Sequence, residues 1–192
     1  MGKWGKCDFK ELERFQKKLE RAGTQSDEFI CSLSRELAAR LLAKVIKRTP
    51  VGVKPEIEGP AQAAAWSGYV GGTLRRGWIS KTEGEAKSGK GSTISAEQQK
   101  EYIGGLAISR SGNEYQITVE NPVEYAPYVE YGHRQTPGRY VPALGKSLKR
   151  ALAPGLNMLT ISEAELEAQA PKLIEARIQK WLTEVLEAKD GK

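Results

Sequence analysis

An α+β fold is expected for this chain: an antiparallel sheet of about four strands packed against long N- and C-terminal helices, with a long flexible loop. Three observations predict it. Apolar residues at helical spacing occupy both ends of the chain, and period-two segments around a Ser-Gly-Asn turn occupy its middle. Between them lies a polar stretch, Lys81–Lys100, dominated by Gly, Ser, Lys and Glu. The length of 192 residues suits one domain, 1–192, with 1–25 as a helical extension and 81–103 as a flexible arm.

The elements follow in order. Asp8–Arg21 reads as a short amphipathic helix with Phe9, Leu12, Phe15 and Leu19 on one face, ended by Gly23. Thr24 or Ser26 then caps a second helix, where Asp27 and Glu28 suit the positive end of its dipole. Its stripe is Ile30, Leu33, Leu37, Leu41 and Val45, widened by Phe29, Leu42 and Ile46. Pro50 stops it shortly after Arg48. Val51–Gly72, rich in Pro and Gly, is an ordered loop with one helical turn at most. Thr73–Ser80 reads as a strand with Leu74 and Trp78 on one side. Ser95 and Gln98 have the spacing of a capping box for a short helix.

Leu106–Arg110 and Glu114–Glu120 flank Ser111–Gly112–Asn113 and make the clearest hairpin in the chain. Ala143–Ala153 reads as a helix ending at Pro154–Gly155. Ser162 and Glu165 suggest a second capping box, opening a C-terminal helix that Pro171 kinks or restarts. Leu173, Ile174, Ile178, Trp181, Leu182 and Val185 give that helix its stripe, to about Lys189.

Lys and Arg outnumber Asp and Glu by 30 to 24, for a net charge of +6. This mild excess permits a nucleic-acid contact without requiring one. A basic face formed by Arg35, Arg40, Lys44 and Lys47, with Trp78, supports the alternative reading of the chain as a basic nucleic-acid-binding module. The simpler reading of that face is a solvated helix surface. Cys7 and Cys31 have no metal-like spacing and read as reduced thiols. No apolar run reaches the ~18 residues of a membrane span, and no apolar core of a signal peptide follows Met1–Lys10. The expectation is a product made in the cytoplasm that leaves it, if at all, by lysis.

Little in the sequence supports catalysis, and no enzyme activity, catalytic residue, metal site or cofactor is expected. His133 is the only histidine. Gly84–Ser92, GEAKSGKGS, approaches the phosphate-loop pattern, but Gly91 stands where the magnesium-binding hydroxyl belongs. The densest signal is Asn121–Ala143, which holds four of seven tyrosines, the histidine and four of nine prolines. A catalytic pocket, an aromatic platform for nucleic acid and a contact surface for another protein compete for it. Glu124 and Glu130 among the tyrosines would repel phosphate, which weakens the platform. Tyrosine offers rigid contact area with a polar tip and is enriched at interfaces. Tyr125 and Tyr128 are expected to be at least half core.

Two segments together carry a family resemblance. One is Arg48–Gly52, RTPVG, continued after an insertion at Gly72–Trp78, GTLRRGW; the other is Glu124–Arg134, EYAPYVEYGHR, leading into Pro137–Ala143, PGRYVPA. They resemble the phage head–tail joining or tail-completion family typified by the minor tail component of lambdoid siphophages. Coverage runs from about Ser26 to Lys189, and the insertion Val53–Gly71 breaks the family's usual Asp-Thr-Gly after TPV. The resemblance implies a structural virion protein of the neck or tail end, forming a ring of six subunits that completes the tail and joins it to the head connector. Its implied partners are other copies of itself, head connector or adaptor proteins and the tail tube protein, with non-specific contact to DNA in the lumen allowed and no membrane. The candidates for subunit contacts are Arg75, Arg76, Lys87, Lys90, Tyr131, His133, Arg134, Arg139 and Tyr140.

Overall fold

A computed structural model describes residues 10–187, and the side chains of 13–187. Cys7, Asp8, Phe9, the Leu12 side chain and Lys189 lie outside the described residues. Among those described, no helix is long and apolar enough to cross a membrane. The class is α+β, with long helices at both ends.

Helix α1 runs unbroken from Lys10 to Arg48, 39 residues, where two helices separated by Gly23 are expected. Thr24 and Ser26 explain the difference. Their hydroxyls donate back to Arg21 O (2.9 Å) and Gly23 O (2.8 Å) instead of capping the groups ahead of them. Gly23 costs an isolated helix about 1 kcal/mol, and packing along α1 outweighs that. The buried side of α1 centres on Ala38, Leu42, Val45 and Ile46.

Helix α7, Met158–Glu187, passes through Pro171 and packs antiparallel on α1. Phe29 stacks on Trp181 at 4.6 Å, Glu36 pairs with Arg177 at 2.9 Å, and Lys44 pairs with Glu165 at 2.8 Å. Ser162 is not the cap of this helix, because the helix begins a turn earlier. Its buried hydroxyl donates to Met158 O and accepts from Arg48. Glu165 faces α1 and receives Lys44 and Arg48.

The short elements fill the space beside this pair. They are α2 (Pro60–Ala65), α3 (Thr73–Gly77), α4 (Glu83–Ser88) and α5 (Ala96–Gly104). The segment expected as a strand is therefore α3. Leu74 and Trp78 are four apart, a spacing that puts two side chains on one side of a strand or of a helix. The polar stretch holds α4 and α5 rather than an irregular excursion. Thr82 caps α4, and Ser95 and Gln98 complete the capping box of α5. Ala86 and Ile103 join Leu42, Val45, Ile46, Leu74, Trp78, Val123, Ala126 and Met158 in one core.

Among the described residues, three two-stranded antiparallel ladders stand where a four-stranded sheet is expected. Strands β1 (Ile108–Ser111) and β2 (Glu114–Ile117) form the hairpin, with Gly112 at φ 59° as its turn demands. After α6 (Ala126–Tyr131), strand β3 (Gly132–Arg134) pairs with β6 (Leu152–Pro154), and β4 (Tyr140–Val141) pairs with β5 (Lys146–Ser147). Hydrogen bonds from Gln135 N to Ala151 O and from Leu148 N to Arg139 O join the last two ladders into one ribbon over 132–154. The helix expected over Ala143–Ala153 is the return limb of this ribbon. The outgoing strands supply a ladder that its local sequence does not reveal.

Candidate functional site

The two segments RTPVG and GTLRRGW, separated by the insertion, meet at Thr49. Trp78 Nε1 donates to the Thr49 hydroxyl at 2.8 Å, and that hydroxyl donates to Val45 O at 2.7 Å. Arg75 donates from Nε (3.0 Å) and Nη2 (2.6 Å) to Thr49 O. These bonds satisfy the C-terminal end of α1, whose last carbonyls have no partner within the helix. Arg76 is buried and donates to Ala86 O (2.9 Å), Gly71 O (2.8 Å), Gly91 O and the Thr73 hydroxyl. Its guanidinium serves as the hub of the polar stretch. Arg75 is half-buried and Arg76 buried, and both guanidinium groups are engaged by backbone carbonyls of their own subunit.

The EYAPYVEYGHR segment forms α6 and enters the ribbon. Glu130 is buried, and its carboxylate accepts from Leu159 N, Thr160 N and the Thr160 hydroxyl, each at 3.0 Å. It caps α7 from another element and places a negative charge at the positive end of that helix. Gly132 follows at φ 83° and ψ 175°, a region essentially reserved for glycine. The tyrosines around Glu130 point outward. Tyr125 is 41% exposed, Tyr128 58%, Tyr131 72% and Tyr140 59%. Tyr125 meets the half-core expectation; burial pushes its hydroxyl pKa up. Tyr128 does not meet it, and instead meets His133 edge-on at 5.9 Å.

His133, Arg134, Arg139, Tyr140 and Lys90 are exposed, as is Lys87, which pairs with Glu83 on α4 at 2.9 Å. Leu152 and Leu156 add exposed apolar area beside α6. The exposed candidates are thus distributed over α4 and the turn after it, α6 and the ribbon. GEAKSGKGS is α4 and the turn after it, with α3 rather than a strand before it. Among the described residues no cluster of three or more His, Cys, Asp or Glu could hold a metal ion. Half of the basic face expected on α1 is engaged: Arg40 pairs with Glu36 and Lys44 with Glu165, while Lys47 is exposed. Lys146, Lys149 and Arg150, unremarked in the sequence, are exposed on the ribbon. The signal that could have found them is the absence of any Asp or Glu from Tyr131 to Ser162.

Residues 13–132 match a family of bacteriophage tail components, described as "Bacteriophage HK97-gp10, putative tail-component". The match spans more than half of the chain, which therefore belongs to the HK97-gp10-like family. It includes the Thr49–Arg75–Trp78 junction and all of α6, and ends at Gly132, where the ribbon begins. Neither the curated proteins nor the solved structures contain a match to the chain.

Proposed function

We propose that this phage tail component is a structural subunit of the neck or tail end, assembling as a homo-oligomeric ring of six copies that completes the tail and meets the head connector. The observation that carries this reading is the outward set of Tyr128, Tyr131 and Tyr140 within a member of a tail-component family. A chain that is only 7% aromatic leaves these three rings more than half exposed. Large rigid side chains with polar tips gain from burial in an interface at low rotamer cost. In this reading Lys87, Lys90, His133, Arg134 and Arg139 form the polar rim. The protein's chemistry is binding, without catalysis or a cofactor. Its neighbours are other copies of itself, the tail tube protein and head connector proteins, and its final location is the virion.

Light scattering over a concentration series, alone, with purified tail tubes and with purified head connectors, tests this. A hexamer, alone or with tubes, is the expected result. A monomer that ignores both tubes and head connectors would overturn it.

A further inference from the structure

The chain's excess positive charge is concentrated in one place. From Tyr131 to Ser162 there are five Lys and Arg and no Asp or Glu. Taking those five from the 30 Lys and Arg of the chain leaves 25 against 24 Asp and Glu, so the remainder is nearly neutral. All five, Arg134, Arg139, Lys146, Lys149 and Arg150, lie on the ribbon and are exposed. None lies within ion-pair distance of a carboxylate among the described residues, whereas Lys44, Arg48, Arg110 and Arg177 on other elements all do.

The ribbon is also held in place. Trp66 Nε1 donates to Ala143 O at its tip at 2.6 Å, and Gly145 rests against the Gln62 side chain of α2. At its base, β3 and β6 are tied to the end of α6 through Leu156 N to Val129 O and Asn157 N to Glu130 O. The five charges therefore sit on a preorganised antiparallel arm, so less ordering is needed on binding.

We infer that this ribbon binds the phosphate backbone of double-stranded DNA without regard to sequence. An acidic protein patch could also meet a positive surface, but a duplex backbone is anionic along its whole length, and an extended arm without a single carboxylate matches that uniform charge along its own length. Arg and Lys supply the phosphate contacts, and the Ser147 and Thr136 hydroxyls, on the same arm, are further donors of the type that contacts phosphate. The inference concerns the ribbon alone and does not require a ring.

The test is fluorescence anisotropy of a labelled random-sequence duplex titrated with the full chain between 50 and 200 mM salt. Five phosphate contacts predict a log–log salt slope of about −4.5, so affinity falls by roughly two to three orders of magnitude over that range. In the variant Arg139→Gln/Lys146→Gln/Lys149→Gln/Arg150→Gln the slope should fall to about −1, while Arg40→Gln/Lys47→Gln should bind as the parent does. Acetylation of the unaltered protein gives a second readout independent of any variant's folding: duplex should protect Lys146 and Lys149 but not Lys47. Three results would overturn the inference: no binding at 50 mM salt, an unchanged slope in the fourfold variant, or binding of polyglutamate in preference to duplex. A strict monomer that still binds DNA through the ribbon would overturn the ring and leave this inference standing.

Discussion

Trp78 donates its indole N–H to the hydroxyl of Thr49 at 2.8 Å, and the two side chains are 4% and 0% exposed. The bond joins the end of α1 to α3 across the insertion that separates them in sequence. Thr49→Val keeps the shape but leaves the indole N–H buried without an acceptor, at a cost of about 2 kcal/mol. The Tm should fall by roughly 4–8 °C. Thr49→Ser keeps the acceptor and should recover much of the loss, which thermal unfolding of both variants will read directly.

Glu130 has no such alternative partner. Its carboxylate alone receives the first N–H groups of α7. Glu130→Gln retains one acceptor but loses the charge at the helix N-terminus, and should cost about 1–2 kcal/mol. Glu130→Ala should cost more, because the N–H groups then lack any acceptor. Urea unfolding should show a lower midpoint with an unchanged slope for the Gln variant.

The elements legible in the sequence are those whose determinants are local. The Ser95–Gln98 box, the Gly112–Asn113 turn and the apolar stripe of α7 each lie within a few residues of the structure they specify. The misread elements depend on distant partners. Leu74 and Trp78 fit a strand or a helix equally well until Thr49 and Val123 surround them. Arg76 reads as a surface cation because the carbonyls of Ala86 and Gly91 that receive it are not visible as a motif. Glu130 reads as a repulsive charge among tyrosines, since nothing nearby announces the N-terminus of α7. The same distance hides the ribbon, whose return limb has helix-compatible residues and acquires its strands only from β3 and β4.

Gly132→Ala separates backbone from side-chain requirements at the junction of α6 and β3. Beyond the φ of 83°, an added Cβ would come 2.6 Å from Gly155 N and still closer to Ala153 O. Both neighbours are backbone, which cannot swing aside. The variant should be destabilised by several kcal/mol, and its loss of soluble, cooperatively unfolding protein is the outcome to measure.

Glu165 offers a pH test. The Lys44 hydrogen bond, aided by the Arg48 charge, holds its carboxyl below the ordinary glutamate value. Its folded pKa is therefore lower than its unfolded one. The stabilisation is present above the unfolded value of about 4.5 and fades as pH falls through the folded value. Glu165→Gln should lower the Tm at pH 7 and leave it little changed well below pH 4. A difference between variant and parent that persisted undiminished at low pH would show that the ion pair is not its source.

Tyr131 is the most exposed of the four tyrosines, at 72%, and its neighbours on α6 already satisfy the fold's internal needs. Glu130 caps α7, Gly132 makes the turn, and Val129 O receives Leu156 N. Removing the Tyr131 ring should therefore leave folding nearly untouched, within about 0.5 kcal/mol. If the tyrosine surface is buried between subunits, the same change should weaken association by about 2 kcal/mol or more, as loss of a central aromatic anchor does. Tyr131→Ala and Tyr140→Ala should thus unfold with the parent's midpoint while shifting assembly to roughly thirtyfold higher concentration in sedimentation or light scattering. A variant that assembled like the parent would remove that tyrosine from the interface. One that lost stability and assembly together would instead place its ring in the fold of the subunit.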